Sequence, residues 1–356
     1  MKLSKKRGEY TYSEIMGAPD ALQAAVARAD GCKEDVRRLL EEGYEEVVFV
    51  GCGSSLYLSE AAAAFYRHAL GVSARAVAAS ELALYIGAYF PNRRRTLLVA
   101  FSRSGETSET LAAVSAFRRQ GFGRIVAITC TPESRLAAEA DIALAVPEAD
   151  EKSMVMTKSF AGMLMAVEWA GASALKPELL EHLRGVPDAA REALARHEGA
   201  VERIGKRREL GRFAFLGAGP NYGVACEGML KMTEMTRVPS SAFHPLEFRH
   251  GPKAAVDSST AVVLLVSDAG RAWEAGLASE LSALSAVGVV LAPGGAPEFS
   301  WDCVLEVGTG IPEAVRPLVY VLLLDLLGYY RAMELGLDPD VPANLSRAVL
   351  LEGMET

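Results

Sequence analysis

Val47-Val-Phe-Val-Gly-Cys-Gly-Ser-Ser55 returns later in the chain as Phe213-Ala-Phe-Leu-Gly-Ala-Gly-Pro-Asn221. Each stretch runs from apolar, strand-forming residues into a Gly-x-Gly turn, so each reads as a buried strand that feeds a helix. A second pair keeps the same spacing: Val99-Ala-Phe-Ser-Arg-Ser-Gly-Glu-Thr107 matches Leu264-Leu-Val-Ser-Asp-Ala-Gly-Arg-Ala272. Both offsets are roughly 165 residues, which reads as one α/β unit present twice.

Further strand candidates fall into the same two series. The first half has Thr96-LLVAF, Arg124-IVAIT and Asp141-IALAV; the second has Arg212-FAFLG, Thr260-AVVLLV, Val289-VLA and Cys303-VLEV. Alanine-rich amphipathic stretches such as Leu58–Leu70 and Ser108–Arg119 lie between strands, the pattern of parallel sheets with crossover helices. Thr157 to about Lys206 reads as helical, with breaks at Pro177 and Pro187. The expected fold class is therefore α/β, with two mostly parallel sheets flanked by helices and ligand sites at the carboxyl ends of the strands. The expected boundaries are a helical segment at 1–35, a first unit at 36–195, a second at 196–340, and a tail at 341–356 that closes the active site.

Composition bounds the partners. The chain has 356 residues, half of them hydrophobic, enough for two sizeable cores at about 150 residues per domain. Lys and Arg number 37 against 45 Asp and Glu, a formal charge of −8 that argues against nucleic acid or an anionic membrane as the main partner. Five scattered cysteines without a CxxC pair fit reduced thiols in a cytoplasm. The opening MKLSKKRGEYTYSEI lacks the apolar run of a secretory signal. Pro317-LVYVLLLDLLGYY-Arg331 is interrupted by Asp325 and is short of a membrane span, so it is expected to be a buried helix.

Two first-half loops sit where this architecture places a ligand. Gly51-Cys-Gly-Ser-Ser55 and Ser102-Arg-Ser-Gly-Glu-Thr107 each follow a strand and open a helix. Hydroxyls and unpaired N–H groups at a helix start suit a phosphate dianion; the competing reading is ordinary N-capping. No Gly-x-x-x-x-Gly-Lys-Ser/Thr segment is present, which excludes a P-loop NTPase. Gly217-Ala-Gly-Pro-Asn-Tyr-Gly223 resembles a dinucleotide turn, but no acidic residue stands at the ribose-binding distance.

The segment Glu227-Gly-Met-Leu-Lys231-Met-Thr-Glu234 places Glu227, Lys231 and Glu234 on one helical face. The plain alternative is a solvated i,i+4 ion pair. Phe243-His-Pro-Leu-Glu-Phe-Arg-His-Gly-Pro252 follows and holds two of the five histidines. Pro245 prevents His244, Glu247 and His250 from adopting the helical spacing of a zinc protease, so no metal is expected and His250 reads as an acid–base histidine. A phosphate anchor, a ring-opening group, a proton-shuttling carboxylate and a nearby cation together suit aldose–ketose chemistry on a phosphorylated sugar.

With these pieces in this order, the sequence resembles the double sugar-isomerase (SIS) family. It resembles specifically the isomerase half of glucosamine-6-phosphate synthase and its shorter relatives, which include amino-sugar-phosphate deaminase/isomerases of the tagatose-6-phosphate ketose/aldose isomerase type and fructosamine-6-phosphate deglycases. The resemblance runs from Glu14-Ile-Met-Gly-Ala-Pro19 through Thr157-Lys-Ser-Phe160 to Pro342-Ala-Asn-Leu-Ser-Arg347. It implies two tandem SIS units, each a three-layer α/β/α, flavodoxin-like sandwich. It also implies that Ser54, Ser55, Ser102, Ser104 and Thr107 bind the sugar phosphate, with Arg103 at a position usually held by glutamine and able to add a bidentate contact. By the same resemblance Glu234 is the C1–C2 proton shuttle, Lys231 the neighbouring cation, and His250 the ring-opening histidine, contributed across a homodimer interface. Sugar contacts fall on Cys52, Gly53, Met154, Met156, Ser346 and Arg347. No cofactor is implied. The second copy of the phosphate loop, Ser267-Asp-Ala-Gly270, has lost the motif.

Three departures shape the expected activity. The chain begins Met-Lys-Leu without an N-terminal cysteine nucleophile, so glutamine-dependent synthesis is not expected. Arg347 stands where the synthase has its Schiff-base lysine, and an arginine stays protonated and forms no imine. Met156 replaces a family serine before Thr-Lys. The leading expectation is a deaminase/isomerase acting on a hexosamine 6-phosphate. The alternatives are a fructosamine-6-phosphate deglycase and a non-catalytic sugar-phosphate sensor, the last of which needs no Lys231, Glu234 and His250 together.

Overall fold

The computed structural model describes residues 6–91, 95–308 and 310–354. The Met-Lys-Leu start used above therefore lies outside the described residues. Three helices come first: α1 (Glu9–Met16), α2 (Ala18–Gly31) and α3 (Lys33–Glu41). The first alternating series follows as β1 (Glu46–Gly51), α4 (Ser54–His68), β2 (Ala74–Ala78), α5 (Ala79–Tyr89) and β3 (Thr96–Phe101). It continues through α6 (Ser108–Gln120), β4 (Gly123–Thr129), α7 (Arg135–Glu139) and β5 (Ile142–Ala145). Helices α8 (Lys158–Leu175) and α9 (Leu180–Gly205) lead to the second series, β6 (Arg212–Gly217), α10 (Asn221–Thr236), β7 (Ser240–Phe243) and β8 (Thr260–Leu265). The last elements are α11 (Arg271–Ala283), β9 (Val287–Pro293), β10 (Cys303–Val307) and α12 (Pro317–Glu334).

The strands form two five-stranded sheets, ordered β2-β1-β3-β4-β5 and β10-β9-β8-β6-β7, with every pairing parallel. Numbered within its own series, the second sheet has the same order, 2-1-3-4-5, as the first. That order is the flavodoxin-like one, and the duplication inferred from two short motifs extends to the whole topology. The central strands are buried end to end, as parallel strands covered on both faces must be.

β2 and β7 were not among the strand candidates. Ala74-Arg-Ala-Val-Ala78 and Ser240-Ser-Ala-Phe243 carry alanine, serine and arginine rather than a β-branched run. Both are edge strands with a single pairing neighbour, where partial exposure removes the demand for a continuous apolar run. Pro187 also departs from expectation. It lies inside α9 and does not end it; Leu183, Val186 and Ala190 are buried around it, and this packing offsets the one lost backbone hydrogen bond.

The two compact units are interleaved along the chain. One comprises 18–151, 158–187 and 346–356 and holds the first sheet. The other comprises 1–17, 152–157 and 188–345 and holds the second. The 1–35 helical segment is thus divided between them, the 195/196 boundary moves to 187/188 within α9, and the tail belongs to the first sheet's unit from Ser346 onward. In the first unit Val48, Val50, Leu98, Ala100, Ile125 and Ala127 pack with Phe90, Phe117 and Phe122. In the second, Ala214, Leu216, Val262, Leu264 and Val290 pack with Phe248, Leu277 and Phe299.

The apolar Pro317 segment is the buried helix α12, with proline at its first position and Asp325 fully buried. Among the described residues, no helix is long and apolar enough to cross a membrane. α1 is fixed to the second sheet's unit by Asp340, which is 2% exposed. Its Oδ1 accepts hydrogen bonds from the Thr11 amide and hydroxyl, both at 2.7 Å, and its Oδ2 accepts from the Tyr10 amide at 3.2 Å. Removing the carboxylate strands buried donors, each costing roughly 1–3 kcal/mol. Asp340→Ala is therefore expected to lower stability by about 3 kcal/mol, read as a lower urea midpoint at unchanged slope.

Candidate functional site

In the first sheet's unit, β1 and β3 are the strands on either side of the point where the winding reverses, and the two hydroxyl-rich loops follow them. After β1 the chain turns at Cys52-Gly53 and enters α4, whose first residues are Ser54 and Ser55, both buried. Cys52 is mostly buried, and burial, with the Glu109 carboxylate second, pushes its thiol up to about 11, so it stays a neutral thiol.

After β3, Ser102 Oγ accepts from the Gly105 amide at 3.0 Å and lies 3.2 Å from Thr107 Oγ1. Ser104 Oγ accepts from the Glu106 amide at 3.2 Å. Gly105 has a φ of 68°, and a Cβ there would fall 2.1 Å from Ser134 Oγ, so only glycine fits this turn. The loop thus wraps its hydroxyls around its own amides at the start of α6.

Arg103 departs from the expected contact with the dianion. Its side chain is 4% exposed, and Nη1 lies 3.0 Å from Oε2 of Glu151, which is fully buried. Glu151 also accepts from the Ser159 amide at 3.3 Å and from the Ser159 hydroxyl. The arginine side chain therefore turns inward, while its carbonyl accepts from the Cys130 amide at 3.1 Å and fastens the loop to the end of β4. Nothing in the local sequence marks Glu151 as its partner, which is 48 residues away.

The tail belongs to this unit too. Arg347 donates to the Glu151 carbonyl and the Asp150 carboxylate, and Ser346 Oγ donates to the Ala348 carbonyl at 3.1 Å. The Ser108 amide, one of the unpaired donors at the start of α6, reaches the Val349 carbonyl at 3.2 Å. Ser108 Oγ in turn accepts from the Leu351 amide at 2.9 Å.

In the second sheet's unit, α10 carries the acid–base cluster. Lys231 is buried (side chain 1% exposed), with Nζ 3.4 Å from Glu227 Oε1 and hydrogen-bonded to Glu234 Oε2. Glu227 is fully buried, whereas the Glu234 side chain keeps 18% of its surface. Burial alone would lower the Lys231 ammonium. Glu227 and Glu234, with Asp325 of α12, outweigh it and hold the group above its ordinary value, so it stays charged across the neutral range. The alternative of a solvated i,i+4 pair does not describe this cluster.

His250 follows a single 3-10 turn at Glu247–Arg249 and is exposed. His244 stacks on Tyr222 with ring centroids 4.0 Å apart. Among the described residues, no group of three or more His, Cys, Asp or Glu side chains could hold a metal ion. Met154 and Met156 lie in the 152–157 strip, anchored by Glu14, whose Oε1 accepts from the Lys152 amide at 2.6 Å and whose Oε2 accepts from the Ser153 hydroxyl. Glu14 was read only as the start of the resemblance, without this role.

The second copy of the Ser102–Thr107 loop keeps its turn and fills it. Ser267 Oγ accepts from the Gly270 amide at 2.9 Å, as Ser102 Oγ does from Gly105. Glu274, 1% exposed, then accepts from the Ser267 amide at 2.8 Å and from its hydroxyl at 2.7 Å. An internal carboxylate occupies these donors.

Residues 44–173 match the family model described as the SIS domain. This part of the chain is an SIS domain. The second sheet repeats the SIS strand order. Glutamine-fructose-6-phosphate aminotransferase (isomerizing) from Methanothermobacter thermautotrophicus is 29% identical over 354 residues, covering 98% of this chain and 59% of the relative. The chain thus spans about three fifths of that curated relative. The C-terminal domain of glucosamine-fructose-6-phosphate aminotransferase from Francisella tularensis superposes with a TM-score of 0.84 at 25% identity, covering 96% of this chain and 100% of that one. A glucosamine-6-phosphate deaminase from Thermotoga maritima gives a TM-score of 0.73 at 27% identity, covering 92% and 100%.

The buried Arg103–Glu151 pair supplies a test of how the SIS loop is held. Glu151→Ala leaves a buried guanidinium without its carboxylate and is expected to cost about 3–5 kcal/mol, whereas the double replacement Arg103→Met with Glu151→Leu recovers most of it. Chemical denaturation of the wild type and the two variants checks this; equal losses in the single and the double variant would rule out the pair as the cause.

Proposed function

We propose that the chain is an aldose–ketose isomerase that deaminates a hexosamine 6-phosphate to a ketose 6-phosphate and ammonia. The observation that carries the reading is the Glu227–Lys231–Glu234 cluster, in which a buried, charged lysine holds the one carboxylate of the α10 trio that keeps an accessible surface. Such a carboxylate can take a proton from a substrate carbon, with the ammonium beside it stabilising the negative charge that develops.

In this reading Ser54, Ser55, Ser102, Ser104 and Thr107 hold the phosphate. His250, from a second copy of the chain, opens the ring. Glu234 removes the C2 proton of the open-chain amino sugar and Lys231 stabilises the resulting enolamine. The proton returns to C1, leaving an imine at C2, and water hydrolyses that imine to the ketone and ammonia. No step uses an imine to the protein, and Arg347, tied to Asp150 and Glu151, has no part as a nucleophile. Nor does any step draw on glutamine.

The test is ammonia release from glucosamine 6-phosphate and galactosamine 6-phosphate, with amine release from fructoselysine 6-phosphate assayed alongside. Wild-type protein is expected to release ammonia, Glu234→Gln to lower kcat by about 10²–10⁴-fold, and Ser104→Ala to act chiefly on KM, raising it about tenfold. Turnover of fructoselysine 6-phosphate alone would replace this reading with the deglycase. Saturable binding of all three without turnover would make the chain a sensor.

A further inference from the structure

The outer side of α6 carries a cavity of about 390 Å³ that the reaction proposed above does not use. That volume lies within the range of small-molecule pockets, about 300–1,000 Å³. Three guanidinium side chains line it, those of Arg118 and Arg119 at the end of α6 and of Arg135 at the start of α7; Glu139 is the one carboxylate among the lining residues. Ser108 and Ser115 add hydroxyls, and Leu111 supplies an apolar wall. Met354, from the C-terminal tail, also lines it.

The arginines also bond groups beside them. Arg118 Nη2 donates to the Glu139 carbonyl at 2.6 Å and lies 3.4 Å from Asp141 Oδ2, while Arg119 Nη1 donates to Ser115 Oγ at 2.9 Å. All three arginines are exposed, so their charges meet the cavity at its mouth. The tail beside them is exposed. Val349, Leu350 and Leu351 are 45%, 71% and 41% exposed, and the segment is fastened to α6 by the two hydrogen bonds at Ser108. Ser108 directly follows Thr107, so whatever holds the tail there also bears on the end of the hydroxyl-rich loop.

We propose that this cavity is an effector site for a small organic phosphate ester, and that its occupancy fastens the C-terminal tail onto α6. The phosphate pairs with the guanidinium groups, which favour its geometry and charge. The organic part lies between Leu111 and Met354. A ligand there touches Met354 only when the tail is down, and this difference in contact is what shifts the tail toward its closed position. The site stands independently of the reaction proposed above, because neither the arginines nor Met354 takes part in it.

Hydrogen exchange of the full chain tests the proposal, with glucose 1-phosphate and inorganic phosphate as probes. Three proteins are compared: wild type, Arg119→Gln/Arg135→Gln in the cavity, and Ser102→Ala/Ser104→Ala in the loop. Glucose 1-phosphate is expected to slow exchange of the Leu351 amide saturably in the wild type and in the loop variant. The cavity variant should need at least about tenfold more ligand, and the single Arg119→Gln variant shows the same direction if the double variant is poorly folded. In the loop variant, glucose 1-phosphate should bind more tightly than inorganic phosphate. Equal binding of the two would remove the organic part of the proposal. Slowing that survives in the cavity variant and disappears in the loop variant would overturn it, as would no slowing in the wild type. Failure of the ammonia assay, by contrast, leaves the outcome at this cavity unchanged.

Discussion

A parallel sheet ordered 2-1-3-4-5 winds one way from its first strand and the other way from its third. The helices that follow those two strands therefore leave on opposite faces, and a crevice opens above the carboxyl ends of the strands. Each of the two sheets has this order, and each presents a Gly-turn after its first strand and a Ser-containing turn after its third. The constraint is local to each sheet. It decides which loops carry unpaired amides, where hydroxyls are useful and where a charge will be felt.

What the two copies do with that constraint differs through buried charge. A buried ion is costly unless a partner of opposite sign and good hydrogen bonds meet it. In the first unit Arg103 and Glu151 meet that condition. In the second, Glu274 turns back onto Ser267, and a further buried charge on α10, Lys231, sits against Glu227 and Glu234. Packing of α12 on α10 buries that cluster, and a Cβ added at Gly328 would fall 3.6 Å from the Lys231 carbonyl oxygen.

Much of the fold was legible in the sequence because buried parallel strands demand an apolar run. Strands such as Thr96–Phe101 and Thr260–Leu265 meet that demand in an obvious way. The edge strands at Ala74–Ala78 and Ser240–Phe243 were missed because half-exposed strands need no such run. Pro187 misled because local propensity was overruled by its buried neighbours. At the site, the Ser102–Thr107 loop and the α10 trio were readable from spacing along one helix or turn. Partners brought in from a distance were not: Glu151 for Arg103, and Glu14 for the 152–153 amides, are joined by tertiary structure alone. Glu274 lay four residues past Gly270 and was passed over because an acidic residue in the first turn of a helix is commonplace.

The Glu274 carboxylate also separates the thermodynamics of the two copies. A loop whose donors are already met by the chain's own side chain draws no stability from solution. No carboxylate is seen on the Ser102 and Ser104 hydroxyls among the described hydrogen bonds, and in the proposed reading a phosphate bound there would stabilise the folded state by RT ln(1 + [L]/Kd), about 2.7 kcal/mol at a hundredfold excess over Kd. On that reading the phosphate's share of the binding energy feeds the stability of the first sheet's unit and has no counterpart at the Ser267 loop.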